Sequence, residues 1–297
     1  MVKMISKKKI FFQKDNSFLK ITGDDHLSFL QGLITNDIYS LSQKKCIYTG
    51  FLTPQGKFLF DFFIFRIKEG VFLECRKQDR DNLLNKLLLY RLKSKVTIAK
   101  EVNINSYLIC KDDVKDIQTS GNGLNIRIFN DPRSEIFSWK MLCSSNDFCF
   151  VKNSVNLKPI NNKQYNSIRL ESSIPQSSED LIPNKSFLLE VRFDQLNGIS
   201  WEKGCYIGQE LTARTKYRSN LKKKIFGIRI INNKIKDKEI FFENKIVGTI
   251  NSFDSHFGIA TINIEEAEKC ISKNSFMSIG DCKVKPFIPK WVKKVSP

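Results

Sequence analysis

With 297 residues, 41% of them hydrophobic and 27% charged, the chain is long enough to bury a core without disulfide staples and too rich in short apolar runs to be disordered throughout. No stretch reaches the roughly 18 apolar residues of a helical membrane span: the richest, Phe58 to Phe65, is broken by Asp61 and ended by Arg66. Lys plus Arg outnumber Asp plus Glu by 49 to 31, a net charge of +18 carried mostly by Lys. That excess draws anions in general, whereas a nucleic-acid surface needs its cations gathered on one element.

Met1 to Lys9 is basic, but only Ile10, Phe11 and Phe12 follow before Gln13 and Lys14. This gives neither a signal-peptide core nor a long Arg-rich transit peptide, so the expected location is the cytoplasm, with thiols reduced. The 8 cysteines form no C-x-x-C pair and both histidines, His26 and His256, lie far from any cysteine pair, so no metal site is predicted.

In chain order, Val2 to Lys20 reads as an extended segment or hairpin, and Ile21 to Ile38 as a helix opened by Thr22, Gly23, Asp24 and Asp25. A hairpin follows, Tyr48–Thr53 and Phe58–Arg66 around the turn Pro54-Gln55-Gly56-Lys57, then a strand Val71–Cys75, a helix Gln78–Lys93 and a strand Val96–Val102. Further strands are predicted at Ser106–Cys110, Leu124–Phe129 and Phe148–Val151, with a turn at Asn130 to Arg133. Lys163–Glu171 reads as a helix followed by a polar loop to Lys185, and Gln209–Lys216 as another helix. From Lys224 the pattern changes to short alternating β runs with one helix, Glu265–Ile271, which predicts a small β-barrel or sandwich and a boundary near Leu221.

The most informative segment is Lys203-Gly204-Cys205-Tyr206-Ile207-Gly208-Gln209-Glu210. Two glycines bracket a cysteine just before a predicted helix, and a thiol beside a lysine and near a helix N-terminus has its thiolate favoured. Cys205 is therefore the one cysteine with a local case for reactivity; on spacing alone, a turn with a buried cysteine is still the favoured reading.

The string K-G-C-Y-I-G-Q-E resembles the signature of the YgfZ family of folate-binding proteins, relatives of the glycine-cleavage T-protein. The resemblance extends to Ile21-Thr22-Gly23 with Phe29 to Leu33 and Thr35-Asn36-Asp37, to Thr53-Pro54-Gln55-Gly56-Lys57, and to Arg169-Leu170-Glu171 followed by Ile174-Pro175. It implies an α+β fold: a ferredoxin-like folate-binding module over 1–220, with subdomains 1–45 plus 105–220 and 46–104, and a C-terminal β-barrel over 221–297.

The resemblance also implies a monomer that binds tetrahydrofolate or a derivative through Glu171, Arg169, Asn36, Asp37, Lys203 and Tyr206, and supports assembly or repair of iron–sulfur enzymes, with indirect effects on tRNA thiolation. Iron–sulfur proteins or their assembly factors are the implied partners. A carboxylate at Glu171 suits the pterin, whose amide N–H and 2-amino group are adjacent donors. Cys205 would ligate iron in transit, exchange with a disulfide, or hold structure. The T-protein relatives carry paired acids after the hairpin; here they are Phe60 and Asp61, which leaves Asp61 either ligand-facing or structural and puts aminomethyl transfer in doubt. Arg214, Lys216, Arg218 and Lys222 to Lys224 form a basic run that suits a polyglutamate tail or a solvated linker. Direct tRNA binding is the other alternative, with only Tyr217 interleaved there for stacking.

Overall fold

The computed structural model describes residues 9–110, 117, 124–133, 135–218, 221–232 and 235–293. Its elements run β1 (Lys9–Phe12), β2 (Asn16–Thr22), α1 (His26–Gln31), a 3-10 turn (Ile38–Ser40), β3 (Ile47–Leu52), β4 (Phe58–Ile67), β5 (Gly70–Arg76), α2 (Arg80–Arg91), β6 (Thr97–Glu101) and β7 (Asn105–Ile109). Then come β8 (Arg127–Asn130), β9 (Trp139–Cys143), α3 (Ser145–Val155), β10 (Lys158–Ile160), α4 (Asn162–Glu171) and α5 (Gln209–Arg218). The chain closes with β11 (Lys223–Ile230), β12 (Glu239–Phe242), β13 (Lys245–Phe253), β14 (Phe257–Asn263), α6 (Ile264–Ser272), β15 (Met277–Ile279) and β16 (Cys282–Phe287). Contacts divide the chain into two compact units, one of Met1–Phe51, Phe60–Asn162 and Asn197–Tyr206, the other of Leu52–Leu59, Lys163–Leu196 and Ile207–Pro297.

The first unit holds two five-stranded sheets, ordered β10-β1-β7-β9-β8 and β3-β4-β5-β2-β6. Helix α3 lays Val151 and Val155 against Ile10, Tyr107, Ile109 and Met141 of the first sheet. Helix α2 buries Leu83 and Leu87, one turn apart; side chains of this size contribute about 1.5–3 kcal/mol each on full burial. The two sheets meet across a fully buried ion pair, Lys140 Nζ on β9 to Glu74 Oε2 on β5 at 2.8 Å. Gln13 Oε1 also accepts from the ammonium at 2.6 Å, and Asn16 Nδ2 donates to Glu74 Oε1 at 2.7 Å. Such a pair holds because extra hydrogen bonds satisfy what the ion contact leaves over.

In the second unit, β11-β14-β13-β12-β15-β16 close into a barrel. Its interior is packed by alternate residues such as Phe226, Ile228, Ile250 and Ile262, with Ala267 and Cys270 of α6 against it. Asn263 caps that helix, its side chain accepting from the Glu266 N–H, and Glu265 and Glu266 occupy the first turn. The α+β class and the C-terminal barrel are as the sequence predicts.

Several local expectations are corrected. Strands β1 and β2 do not pair as a hairpin but join different sheets, and residues before Lys9 lie outside the described ones. Because β2 sits between β5 and β6, the expected subdomain split at 45/46 does not follow the sheets. The helix expected over Ile21–Ile38 shrinks to α1: Ile21 and Thr22 belong to β2. Beyond it, the Asn36 side chain accepts from the Asp37 N–H at 2.8 Å and Asp37 from the Tyr39 N–H at 3.1 Å, local bonds that compete with helix. Phe148–Val151 is helical rather than extended, since Ser144 caps α3 by accepting from the Asp147 N–H, and Val151 and Val155 recur at helical spacing.

Candidate functional site

Lys203 organises the first half of the signature. Its ammonium has three hydrogens, and they reach the carbonyl oxygens of Gln31 at 2.7 Å, Ile34 at 2.6 Å and Asn36 at 3.0 Å. A lysine capping the frayed carbonyls beyond a helix end is a matched use of its donors. Burial lowers its pKa to about 8, partly offset by the nearby Asp37 carboxylate, and the ammonium also lies 5.0 Å from the Tyr206 ring centroid.

The segment that Lys203 grips is stitched down elsewhere too. Asn36 Nδ2 donates to the carbonyls of Tyr48 and Asn197, both at 2.8 Å. Thr35 Oγ1 donates to the Gly198 carbonyl at 2.7 Å, and the Ser200 N–H to the Thr35 carbonyl at 3.0 Å. Gln31 Nε2 donates to Asp37 Oδ1 at 2.9 Å. The Thr-Asn-Asp motif and the signature lysine are thus two halves of one polar knot. On it, Gly204 and Cys205 are exposed and Tyr206 is buried. Lys203 is consequently not the free cation expected beside the thiol, and α5 starts only at Gln209 after the turn Ile207-Gly208.

The other expected site residues divide sharply. Arg169 is buried with its guanidinium engaged all round: Nε donates to Asn166 Oδ1 at 2.9 Å, NH1 to Asp180 Oδ2 at 2.9 Å and to the Ile174 carbonyl at 3.1 Å. NH2 reaches Glu179 Oε2 at 2.9 Å and Ser252 Oγ at 3.4 Å. Ser252 Oγ in turn donates to Asp180 Oδ1 at 2.7 Å. The arginine of the R-x-E motif is therefore a brace between α4, the polar loop after it and β13, and not a contact for ligand as expected. Two residues on, Glu171 is half-buried at the end of α4, and its carboxylate makes no hydrogen bond or ion pair among the described residues.

Asp61 accepts from the Tyr48 hydroxyl, Oδ2 to Oη at 2.7 Å. Burial, then the Asp61 charge, pushes the Tyr48 phenol well up. The Arg133 guanidinium lies 4.7 Å from the Tyr48 ring centroid and 4.4 Å from that of Phe63, and is held by Asp131 through Nε at 3.2 Å and NH2 at 3.1 Å. Of this partly buried cluster, which Lys140 Nζ joins at 4.2 Å from the Phe63 centroid, the sequence expectations reach only Asp61 and the turn at Asn130 to Arg133. Its signals were an arginine directly after Asp131-Pro132, and single charges, Glu74 and Lys140, inside otherwise apolar strands.

One concavity of about 360 Å³ lies between Gly23 and Val71 in the first unit, and another of about 450 Å³ at Phe241, Phe276 and Lys283 in the second. None of the residues expected to hold folate lines either one. Among the described residues no group of three or more His, Cys, Asp or Glu could hold a metal, and no helix is long and apolar enough to cross a membrane.

Superposed on the glycine cleavage system aminomethyltransferase T from Bartonella henselae, the chain gives a TM-score of 0.75 at 11% identity, covering 96% of this chain and 86% of that one. The fold is that of the glycine-cleavage T-protein. Residues 223–294, the barrel, match the family of the CAF17 C-terminal beta-barrel domain.

The chain is similar to iron–sulfur cluster assembly factors. It is 29% identical over 233 residues to "Iron-sulfur cluster assembly factor IBA57, mitochondrial" of Homo sapiens, covering 72% of this chain and 64% of that relative. To the IBA57 homolog of Dictyostelium discoideum it is 28% identical over 255 residues, covering 75% and 62%. The alignments thus span under two thirds of these relatives' length. The YgfZ resemblance holds as the coarser family likeness, since the curated relatives carry the IBA57 name. They are also named as mitochondrial, which overturns the cytoplasmic location expected from the N-terminal composition.

Proposed function

We propose that this protein supports the assembly of iron–sulfur enzymes as a monomeric scaffold that binds tetrahydrofolate and presents the Cys205 thiol to iron–sulfur clients or their assembly factors. The observation that carries the reading is the similarity, over 72% of the chain, to a protein named as an iron–sulfur cluster assembly factor. The polar knot supports it: Lys203, Asn36 and Asp37 spend their side chains on fixing the segment that displays Cys205. A thiol held on a rigid base is ordered for contact with a partner before that partner arrives, which lowers the cost of association.

For folate, the residue that fits is Glu171. Its carboxylate is half-buried and unengaged, so both oxygens remain to accept the pterin amide N–H and 2-amino group as a charge-assisted pair. Arg169 contributes by bracing the helix that carries Glu171, and Lys203, Asn36 and Asp37 by holding the knot. Bound tetrahydrofolate would supply a reduced one-carbon carrier. Aminomethyl transfer has less support, because Phe60 stands in place of one of the paired acids and Asp61 is hydrogen-bonded to Tyr48. Effects on tRNA thiolation would follow through client iron–sulfur enzymes rather than through RNA binding.

Two measurements test the reading separately. Expressed in cells lacking their own such assembly factor, the chain should restore iron–sulfur enzyme activities, and Cys205→Ser should not; restoration by neither, or equally by both, rejects the scaffold role. Calorimetric titration with tetrahydrofolate should show binding that Glu171→Gln weakens about tenfold or more, as loss of a charged bidentate acceptor does. Equal affinities would reject the folate site.

A further inference from the structure

Helix α2 ends in an apolar surface that no described residue of its own unit covers. Leu83 and Leu87 face the sheet, yet Leu88 is 41% exposed, Leu89 66% and Leu92 85%. A cluster of leucines at one helix end differs from the singly scattered surface leucines of ordinary proteins. Leu92 adds an independent observation. It terminates the helix at φ 45° and ψ −116°, a conformation left almost entirely to glycine because an L side chain clashes there. The chain thus holds a leucine where the backbone favours glycine and gains no burial in return. Strained residues of this kind cluster at ligand clamps and other functional sites.

The charges around the cluster indicate what covers it. Lys86, Arg91, Lys93 and Lys95 flank the leucines, and none of them is in an ion pair among the described residues. The acid of this helix, Asp81, is already bound by Arg80 and Lys100, both at 3.0 Å. An occupant must therefore bring apolar side chains and negative charge together. A bilayer-lying helix turns its whole apolar face to lipid, whereas here the main face of α2 is spent on its own sheet and only three leucines at its end remain exposed, few enough to be met by the apolar stripe of one helix.

We propose that Leu88, Leu89 and Leu92 with the surrounding cations form a docking surface for an acidic amphipathic helix of a partner protein. The surface is independent of both Glu171 and Cys205. Partner helices that dock in this way present leucines at i, i+3, i+4 and i+7 with acids at the rim.

The test uses the full chain and a fluorescein-labelled synthetic helical peptide with leucines along one face and glutamates on the other, followed by anisotropy. The wild type should bind it with a Kd of about 1–100 μM, weakened by added salt. Leu89→Glu, at an exposed position, should weaken binding about tenfold or more. Leu92→Gly should do the same while raising the thermal midpoint, because glycine relieves the backbone. Binding lost as stability rises cannot come from unfolding. The proposal is overturned if the wild type does not bind up to about 1 mM, or if either variant binds as well as the wild type. It is also overturned if the wild type, but not Leu89→Glu, instead sediments with vesicles of phosphatidylcholine and phosphatidylglycerol.

Discussion

Gly208 of the signature approaches Gly56 of the hairpin so closely that a Cβ added to Gly208 would lie 3.1 Å from the Gly56 Cα, 2.9 Å from the Leu52 Cβ and 2.5 Å from the Thr53 carbonyl oxygen. Both glycines have positive φ, +80° and +70°. In the hairpin, the Gly56 N–H donates to the Thr53 carbonyl at 2.9 Å and the Thr53 N–H to the Lys57 carbonyl at 2.8 Å, a turn that needs a left-handed residue at Gly56. Two motifs far apart in sequence are thus the two sides of one backbone contact.

Gly208→Ala should therefore destabilise the protein by about 2–3 kcal/mol, through strain at positive φ and collision with backbone that cannot move aside cheaply. Gly204, in the same signature, meets nothing within 4 Å, and Gly204→Ala should change stability by less than about 0.5 kcal/mol. Urea unfolding of both variants checks the contrast; equal effects would contradict this account of the motif.

Removing one partner of the Lys140–Glu74 pair should be far worse than removing both. Lys140→Met leaves a fully buried carboxylate without its cation and should cost about 3–5 kcal/mol. In the double variant Lys140→Met, Glu74→Leu much of that loss should return, because no charge remains to be desolvated. A double-mutant cycle with no coupling between the two positions would show that the pair is incidental.

Lys203 gives the protein a pH signature. Its pKa is lowered by burial to about 8 in the folded chain, against about 10.4 in the unfolded one. Between those values the unfolded state binds the extra proton, so this group's contribution to stability is constant below pH 8 and grows as pH rises toward 10.4. Lys203→Met should lower stability at pH 7, since three carbonyls lose their donor. It should also abolish this increment, so that the wild type gains on the variant between pH 7.5 and pH 10. A gap that shrinks over that interval would reject the lowered pKa.

The thiols should separate into two classes on alkylation of the native protein. Cys205 and Cys149 are exposed and should label first. Cys75 and Cys143 are pushed up to about 12 by burial, and Cys46 is raised further by burial and by Asp131, so all three should label only on unfolding. Mass spectrometry per cysteine reads the order, and Cys205 labelling as slowly as Cys46 would remove it from the proposed role.

What the sequence by itself determined is whatever depends on neighbours along the chain. The Thr53–Lys57 hairpin, α4, α5 and the barrel strands follow from turn residues and from apolar periods of two or near four, which each segment carries whatever it meets. The signature cysteine was legible for the same reason, as a short string with exposed Gly204 and Cys205. Tertiary structure alone decided the partners. No local pattern could place β2 in one sheet and β1 in another, or make Arg169 a brace while leaving Glu171, two residues later, without a partner among the described residues, because a polar side chain's role is set by which distant groups desolvate and satisfy it. Lys203 is the clearest case: its charge suggested help for the adjacent thiol, and the fold brings it instead to the carbonyls of Gln31, Ile34 and Asn36, whose unmet hydrogen bonds only the folded chain brings within its reach.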